Sequence, residues 1–167
     1  MARSAVTAYS RTQIILHWSI AALVVFQFLV HDGMEESFDA FVDGAVPAAS
    51  DLRMANLHAA VGIAILLLML ARIALRLTRG APPLPADEPR VAKFLAHAVH
   101  GLFYVLLIGM PISGSVAWFL GIDGAGDAHG TASSVLLALI GLHLAGVLAQ
   151  IFVFRSNVLT RMTRPAG

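Results

Sequence analysis

Seven histidines stand in a chain of 167 residues of which 58% are hydrophobic and only 13% charged. Imidazole combines a proton donor, a proton acceptor and a metal ligand in one ring. Ionisable groups in so apolar a chain are costly, and by default they mark a function. Their spacing narrows the chemistry. His129 and His143 are 14 residues apart, which on an α-helix is about 40° short of four full turns and a rise of about 21 Å. One helix thus offers two imidazoles on one face, at two depths of a hydrocarbon core roughly 30 Å thick. His58 and His17 each fall early in another apolar stretch, and running the stretches alternately outward and inward gives each a partner at similar depth. His58 then pairs with His129, and His17 with His143.

The absence of cysteine excludes disulfides, thiolate zinc sites, cysteine-ligated iron–sulfur clusters and CxxCH-attached haem. Two imidazole pairs across a dry bundle, with no carboxylate or thiolate nearby, suit two bis-His haems better than a bare metal. Zinc wants four ligands or an open water position, whereas bis-His ligation saturates haem iron and favours electron transfer over oxygen binding. Small residues near the pairs, Ala59, Ala60 and Gly62 after His58 and Gly141, Ala145 and Gly146 around His143, leave room for a flat macrocycle. Such residues are also how membrane helices pack.

Other polar residues compete for roles. His97 and His100 form an HxxH at i, i+3, neighbouring positions on a helix face, and His100 rivals His143 as the partner of His17. Otherwise the two would bond a haem propionate or a quinone oxygen. Arg72 is 14 residues after His58 and shares its face, either as a guanidinium fork for a propionate or quinone or as a topology-setting residue snorkelling to the interface. His31 reads as a solvated loop residue, and Pro111 with Gly114 as a kink of the kind membranes tolerate.

The elements that must position these groups are four apolar stretches, Thr12–Val30, Ala55–Leu75, Phe94–Leu120 and Thr131–Phe154. Each is long enough to cross a bilayer, and together they leave no room for a separate soluble domain. The predicted fold is all-α: an integral membrane antiparallel four-helix bundle with short connections, one domain over residues 1–167. The first stretch lacks a small-x-small cleavage site and is expected to stay in the mature protein. The links are an acidic segment (His31–Asp51), a proline-rich basic segment (Thr78–Lys93) and a Gly/Asp turn (Gly121–Gly130) in which Asp127 could cap the fourth helix. Ten of the eleven basic residues, from Arg3 and Arg11 to Arg161 and Arg164, fall on one side, and only Arg53 on the other. Eight of the ten acidic residues share that other side. The positive-inside rule then makes both termini cytoplasmic.

YSRTQIILHW (Tyr9–Trp18), LHAAVGIAILLLMLARIALRL (Leu57–Leu77), LAHAVHGLFYVLLIGMPISG (Leu95–Gly114) and GLHLAGVLAQIFVFRSNVLTRM (Gly141–Met162) resemble, in that order and over nearly the whole chain, the bacterial cytochrome b561 family. That family is related to the cytochrome b subunits of nickel-iron hydrogenases and formate dehydrogenases. The resemblance implies a four-helix protein of the bacterial inner membrane with two b-type haems. The inner haem would rest on His17 and His143, the outer on His58 and His129, as the spacing also suggests. It implies electron exchange with ubiquinone, and some members resemble superoxide:quinone oxidoreductases.

The expected function is therefore transmembrane electron transfer between an outer-side donor, with superoxide a candidate, and ubiquinone. The alternative is a non-catalytic anchor subunit wiring a soluble redox partner to the quinone pool. Expected partners are membrane lipid, quinone and an outer-side small-molecule or protein donor; nucleic acid is not among them. An acidic first link slows the approach of anionic superoxide, which Arg53, five residues before His58, would offset locally. A transporter with histidine proton relays fits poorly, since the chain has neither an inverted repeat nor a pair of broken helices.

Overall fold

Ser10 starts the first helix. Its hydroxyl accepts from the Gln13 backbone N–H at 3.4 Å while the Gln13 side chain accepts from the Ser10 N–H at 3.0 Å. This reciprocal cap satisfies N–H groups that a helix start leaves unbonded. Helix α1 then runs over Arg11–Leu29. In the computed structural model, which describes residues 8–86 and 88–165, it is followed by α2 (His31–Val42), α3 (Ala49–Arg79), α4 (Arg90–Leu120), α5 (Asp123–Phe152) and the short α6 (Val158–Arg161). Arg3 of the charge pattern and Asp87 of the proline-rich link lie outside the described residues.

Helices α1, α3, α4 and α5 are long and apolar enough to span a membrane and form the antiparallel four-helix bundle. Ile20 and Val24 of α1, Ile65 and Met69 of α3 and Leu136 of α5 make the core, with Phe103 and Leu107 of α4 packed against it. The outward faces are equally apolar: Leu29, Leu67, Val105, Leu137 and Phe152 are all more than half exposed. In water such a surface would be an aggregation liability. In lipid it is the solvated surface, and helices suit it because they bond their backbone polar groups internally.

Side-chain hydrogen bonds close one end of the bundle. Gln13 Nε2 donates to the Gly80 carbonyl at 3.0 Å, Trp18 Nε1 to the Met162 carbonyl at 2.8 Å, and Arg161 Nη1 to the Pro83 carbonyl at 2.8 Å. The start of α1, the α3–α4 link and the C-terminal segment, which are the basic segments, are thereby held together.

The other end departs from the sequence expectation in two ways. The acidic link after α1 contains a 12-residue helix, α2, that packs on α3. The Gly/Asp turn is mostly helix: Gly121, at φ 64°, ends α4 with its N–H on the Ala117 carbonyl at 3.0 Å, and α5 begins two residues later with Ile122, not Asp127, as its N-cap. The reason is the same in both places. Hydropathy marks where hydrocarbon ends, not where the helix ends, and Asp123 in the first turn of α5 sits favourably at the positive end of the helix dipole. The longer α5 makes His129 its seventh residue, against the tenth place of His58 in α3, which removes most of the depth difference that the apolar runs alone suggest.

Helix α2 is held by close packing. Ser37 and Ala55 are wholly buried, and a Cβ on Gly33 would stand 2.7 Å from the Met54 Cβ. Gly33→Val is therefore expected to push α2 off α3 and cost about 1–3 kcal/mol, as overpacking does. Thermal unfolding in detergent would read it as a lowered Tm, and an unchanged Tm would contradict this docking.

Candidate functional site

Histidine clusters lie toward the two ends of the bundle. At the α2 end, His58 of α3 and His129 of α5 face each other with ring centres 6.0 Å apart and planes at 70°. His129 Nδ1 is 2.9 Å from the Met110 carbonyl oxygen. A carbonyl can only accept, so Nδ1 carries the proton and Nε2 keeps its lone pair for another partner. The ring fits there because residue 114 is glycine: a Cβ at that position would lie 2.9 Å from His129 Nδ1. The His58 carbonyl accepts from Gln27 Nε2 at 2.9 Å, while His58 Nδ1 and Gln27 Oε1 are buried without partners.

A cavity of about 560 Å³ contains this pair, within the range of sites for cofactor-sized ligands. Ala59, Gly62, Ile65 and Leu136 line it from the bundle, and Met34 and Phe38 of α2 from above. Phe38 rests on Gly126, where a Cβ would come within 3.1 Å of its ring, and Phe41 meets Trp118 edge-on at 5.3 Å. Helix α2 is thus the cover of the cavity. His31 belongs to it and lines the cavity, with Nε2 3.5 Å from Glu35 Oε2. It is the first residue of a helix and not the loop residue its polarity suggested.

At the basic end, His143 of α5 meets His100 of α4 at 5.4 Å and 89°, and Phe103 at 5.4 Å and 88°. His100 Nδ1 donates to the Ala96 carbonyl one turn back, at 2.6 Å. His17 of α1 lies edge-on to Trp18 at 5.3 Å and within electrostatic reach of Arg72, His143 and His100. Arg72 Nη1 donates to the Gln13 carbonyl at 3.1 Å, and the Arg76 guanidinium stands 6.0 Å over the Tyr104 ring. These residues and Tyr9 border a small hollow. Among the described residues neither arginine has a carboxylate partner, the one ion pair being His31–Glu35.

The six site residues read from the sequence therefore gather in two places: His58 with His129 at one end, and His17, His143, His100 and Arg72 at the other. His97 is exposed. Ala59 and Gly62 border the outer cavity as small residues should, whereas a Cβ on Gly141 or Gly146 would meet nothing within 4 Å. Among the described residues no three His or carboxylate side chains converge as a bare metal centre would need. Sequence reasoning missed Gln27, whose lone amide within an apolar span was a signal in itself. It also missed the Met110 carbonyl, which no side-chain pattern reveals, and the cover made by α2.

A sequence model of prokaryotic cytochrome b561 matches residues 8–165. The chain belongs to this family. It is 34% identical over 160 residues to a protein of Cereibacter sphaeroides named cytochrome b562, covering 94% of this chain and 96% of that one. It is 30% identical over 176 residues to a protein of Yersinia pestis named probable superoxide oxidase CybB, covering 92% and 94%. The cytochrome is accordingly a bacterial multi-pass membrane protein that binds haem b and serves electron transfer.

With no cysteine in the chain, no thioether can hold that haem. Acid–acetone is expected to extract all of it from the purified protein, leaving an apoprotein band without haem stain. Residual stained haem on a denaturing gel would contradict this.

Proposed function

We propose that the cytochrome is a dihaem electron carrier of the bacterial inner membrane, moving electrons between a donor on the outer side and ubiquinone. The observation that carries this reading is the His58–His129 pair. Two imidazoles bonding one metal from opposite sides at about 2.0–2.1 Å have ring centres roughly 6 Å apart, and these stand at 6.0 Å. The fixed proton on His129 Nδ1, the open cavity beside it and the unpartnered His58 Nδ1 suit the same use. A ligating imidazole bonds through one nitrogen and is oriented through the other.

In this scheme His58 and His129 hold the outer haem, and His17 and His143 the inner one. Bound so, haem supplies reversible one-electron storage. The rest is work of the chain. His129 and His143, about 21 Å apart along α5, divide the width of the membrane between the two sites. The apolar core of Ile65, Met69 and Leu136 keeps water from the space between them. His100, with Nε2 left free by its bond to Ala96, and Arg72, unpaired beside His17, bind a propionate or a quinone oxygen at the inner end. With ten of the eleven basic residues on that side, both termini are cytoplasmic.

The relative named probable superoxide oxidase makes superoxide the first candidate donor. Two superoxide anions would each give up one electron and leave as dioxygen, while one ubiquinone takes two electrons and two protons. Arg53, exposed in the second turn of α3, is the basic residue of the outer side and would draw the anion in. Arg53→Glu is expected to slow superoxide oxidation at low salt and less at high salt, since exposed charges are screened. Unchanged low-salt kinetics would remove Arg53 from the mechanism.

One observation favours a second reading: α2, the cover of the outer cavity, carries Asp32, Glu35, Glu36 and Asp39. A basic soluble redox protein would meet that surface more readily than superoxide, and the cytochrome would then be its anchor and wire. Purified alone, a self-sufficient oxidoreductase reacts with superoxide or quinol; an anchor can be reduced by dithionite but stays inert to both.

Haem content and the reduced-minus-oxidised spectrum test the ligand scheme directly, in the wild type and in His58→Ala and His143→Ala. Two low-spin b haems per chain are expected, with one lost or made high-spin in each variant. A single haem, or a His143→Ala protein with an unperturbed spectrum, would overturn the pairing and direct attention to His100.

A further inference from the structure

Helix α4 supplies no imidazole to the outer pair, yet its Met110–Gly114 turn is built around one. Three features meet there. The Met110 carbonyl oxygen lies 2.9 Å from His129 Nδ1 and also accepts from the Ser113 hydroxyl at 3.1 Å. Gly114 leaves the space the ring occupies, since a Cβ would stand 2.9 Å from Nδ1 and 3.0 Å from Cε1 of His129. Pro111 lies inside the helix, lacks an N–H and so leaves the Leu107 carbonyl without its helical donor. The Ser115 hydroxyl donates to the Pro111 carbonyl at 2.7 Å, so both serine hydroxyls of this turn are spent on its own backbone.

We propose that the Met110–Gly114 turn is a seat that positions the His129 imidazole, the carbonyl fixing its tautomer and basicity and the glycine giving it room, and that this turn sets the reduction potential of the outer haem. The inference rests on His129 being a ligand, as proposed above. A carbonyl that takes up the Nδ1 proton more strongly makes Nε2 a stronger donor to iron, which stabilises the ferric state and lowers the potential. The Met110 oxygen has two lone pairs. Its regular helical partner, the N–H of residue 114, takes one, so Ser113 and His129 compete for the other. The seat is therefore tuned by a hydroxyl that touches neither the haem nor the imidazole. The outer pair is also asymmetric, because His58 Nδ1 has no such acceptor. Gly109, on the same helix, has nothing within 4 Å of a Cβ position and provides an internal control.

The test is a redox titration of purified holoprotein, resolving two haem components, with low-temperature EPR of the ferric state. In Gly114→Ala the added methyl has to displace the His129 ring from the Met110 carbonyl. The outer component is expected to rise in potential or turn high-spin while the inner one keeps its values. In Ser113→Ala the competing donor is gone, and the outer component is expected to fall by up to a tenfold change in ferric-over-ferrous stability, about 59 mV for one electron. Gly109→Ala should match the wild type in both components.

Outer potential and EPR signal unchanged in both Gly114→Ala and Ser113→Ala would overturn the seat. If Gly114→Ala does not assemble, Ser113→Ala decides alone, because losing an inward-bonded hydroxyl leaves the helix intact. A His129→Ala protein that retains two bis-His haems would instead overturn the ligand assignment, so the two failures are told apart.

Discussion

The arrangement depends on one helix carrying two imidazoles 14 residues apart. Because 14 residues is nearly a whole number of turns, His129 and His143 look out of the same side of α5 and impose two sites on whatever packs there. Helix α3 answers at the α2 end with His58, and α1 and α4 answer at the basic end with His17 and His100. A one-residue insertion between His129 and His143 would rotate one ring about 100° from the other, and no adjustment of the neighbouring helices could serve both. The length of α5 matters for the same reason. By starting at Asp123 and not at Thr131, it surrounds His129 with two helical turns of its own instead of leaving the ring on a fraying end.

Imidazoles impose a second demand, which is that each ring nitrogen needs a partner where no water reaches. His129 and His100 meet it with backbone carbonyls, of Met110 and Ala96 respectively. Both carbonyls belong to α4. That helix thus orients a ring at each end while its own apolar outer face, with Val105 and Leu102 at least half exposed, meets lipid. The glycine at 114 and the proline at 111 are explained by this task better than by a kink alone: a close approach is needed where a ring from another helix must reach the backbone.

Much of this was legible before any coordinates. Hydropathy found the four spans because lipid is a severe judge of side chains, and helical periodicity put His129 and His143 on one face. Depth arguments brought His58 next to His129. What the sequence could not display were backbone acceptors and the polar ends of helices. The Met110 carbonyl has no letter of its own, and α2 and the first two turns of α5 are too polar to register as spans although they are helical. The inner site was only half legible, since His17, His100 and His143 all fall at one depth and no periodicity argument says which two face each other. The structure adds that His100 touches His143 edge-on and spends one nitrogen on its own helix. That favours a supporting role beside the pair.

The two ends also differ in a way that bears on direction. At the basic end the side chains tie segments together by hydrogen bonds to carbonyls, and two arginines remain without carboxylate partners. That end is closed to large partners but offers positive charge at the bilayer surface, where a quinone head or a propionate would arrive from within the membrane. At the acidic end the histidine pair is covered by a separate helix seated on α3 through Gly33, Ser37 and Ala55, with aromatic contacts but no described ion pair to the bundle. A helix attached by packing alone is removable without breaking a buried polar network, so the outer cavity has a cover of moderate strength and the inner end a fixed floor. Access from the aqueous side is therefore more easily varied at the outer site, by changing α2, than at the inner one. If donors differ among relatives of this chain, α2 is where the difference should be sought, because its exposed charges change what approaches while the imidazoles beneath it stay in place.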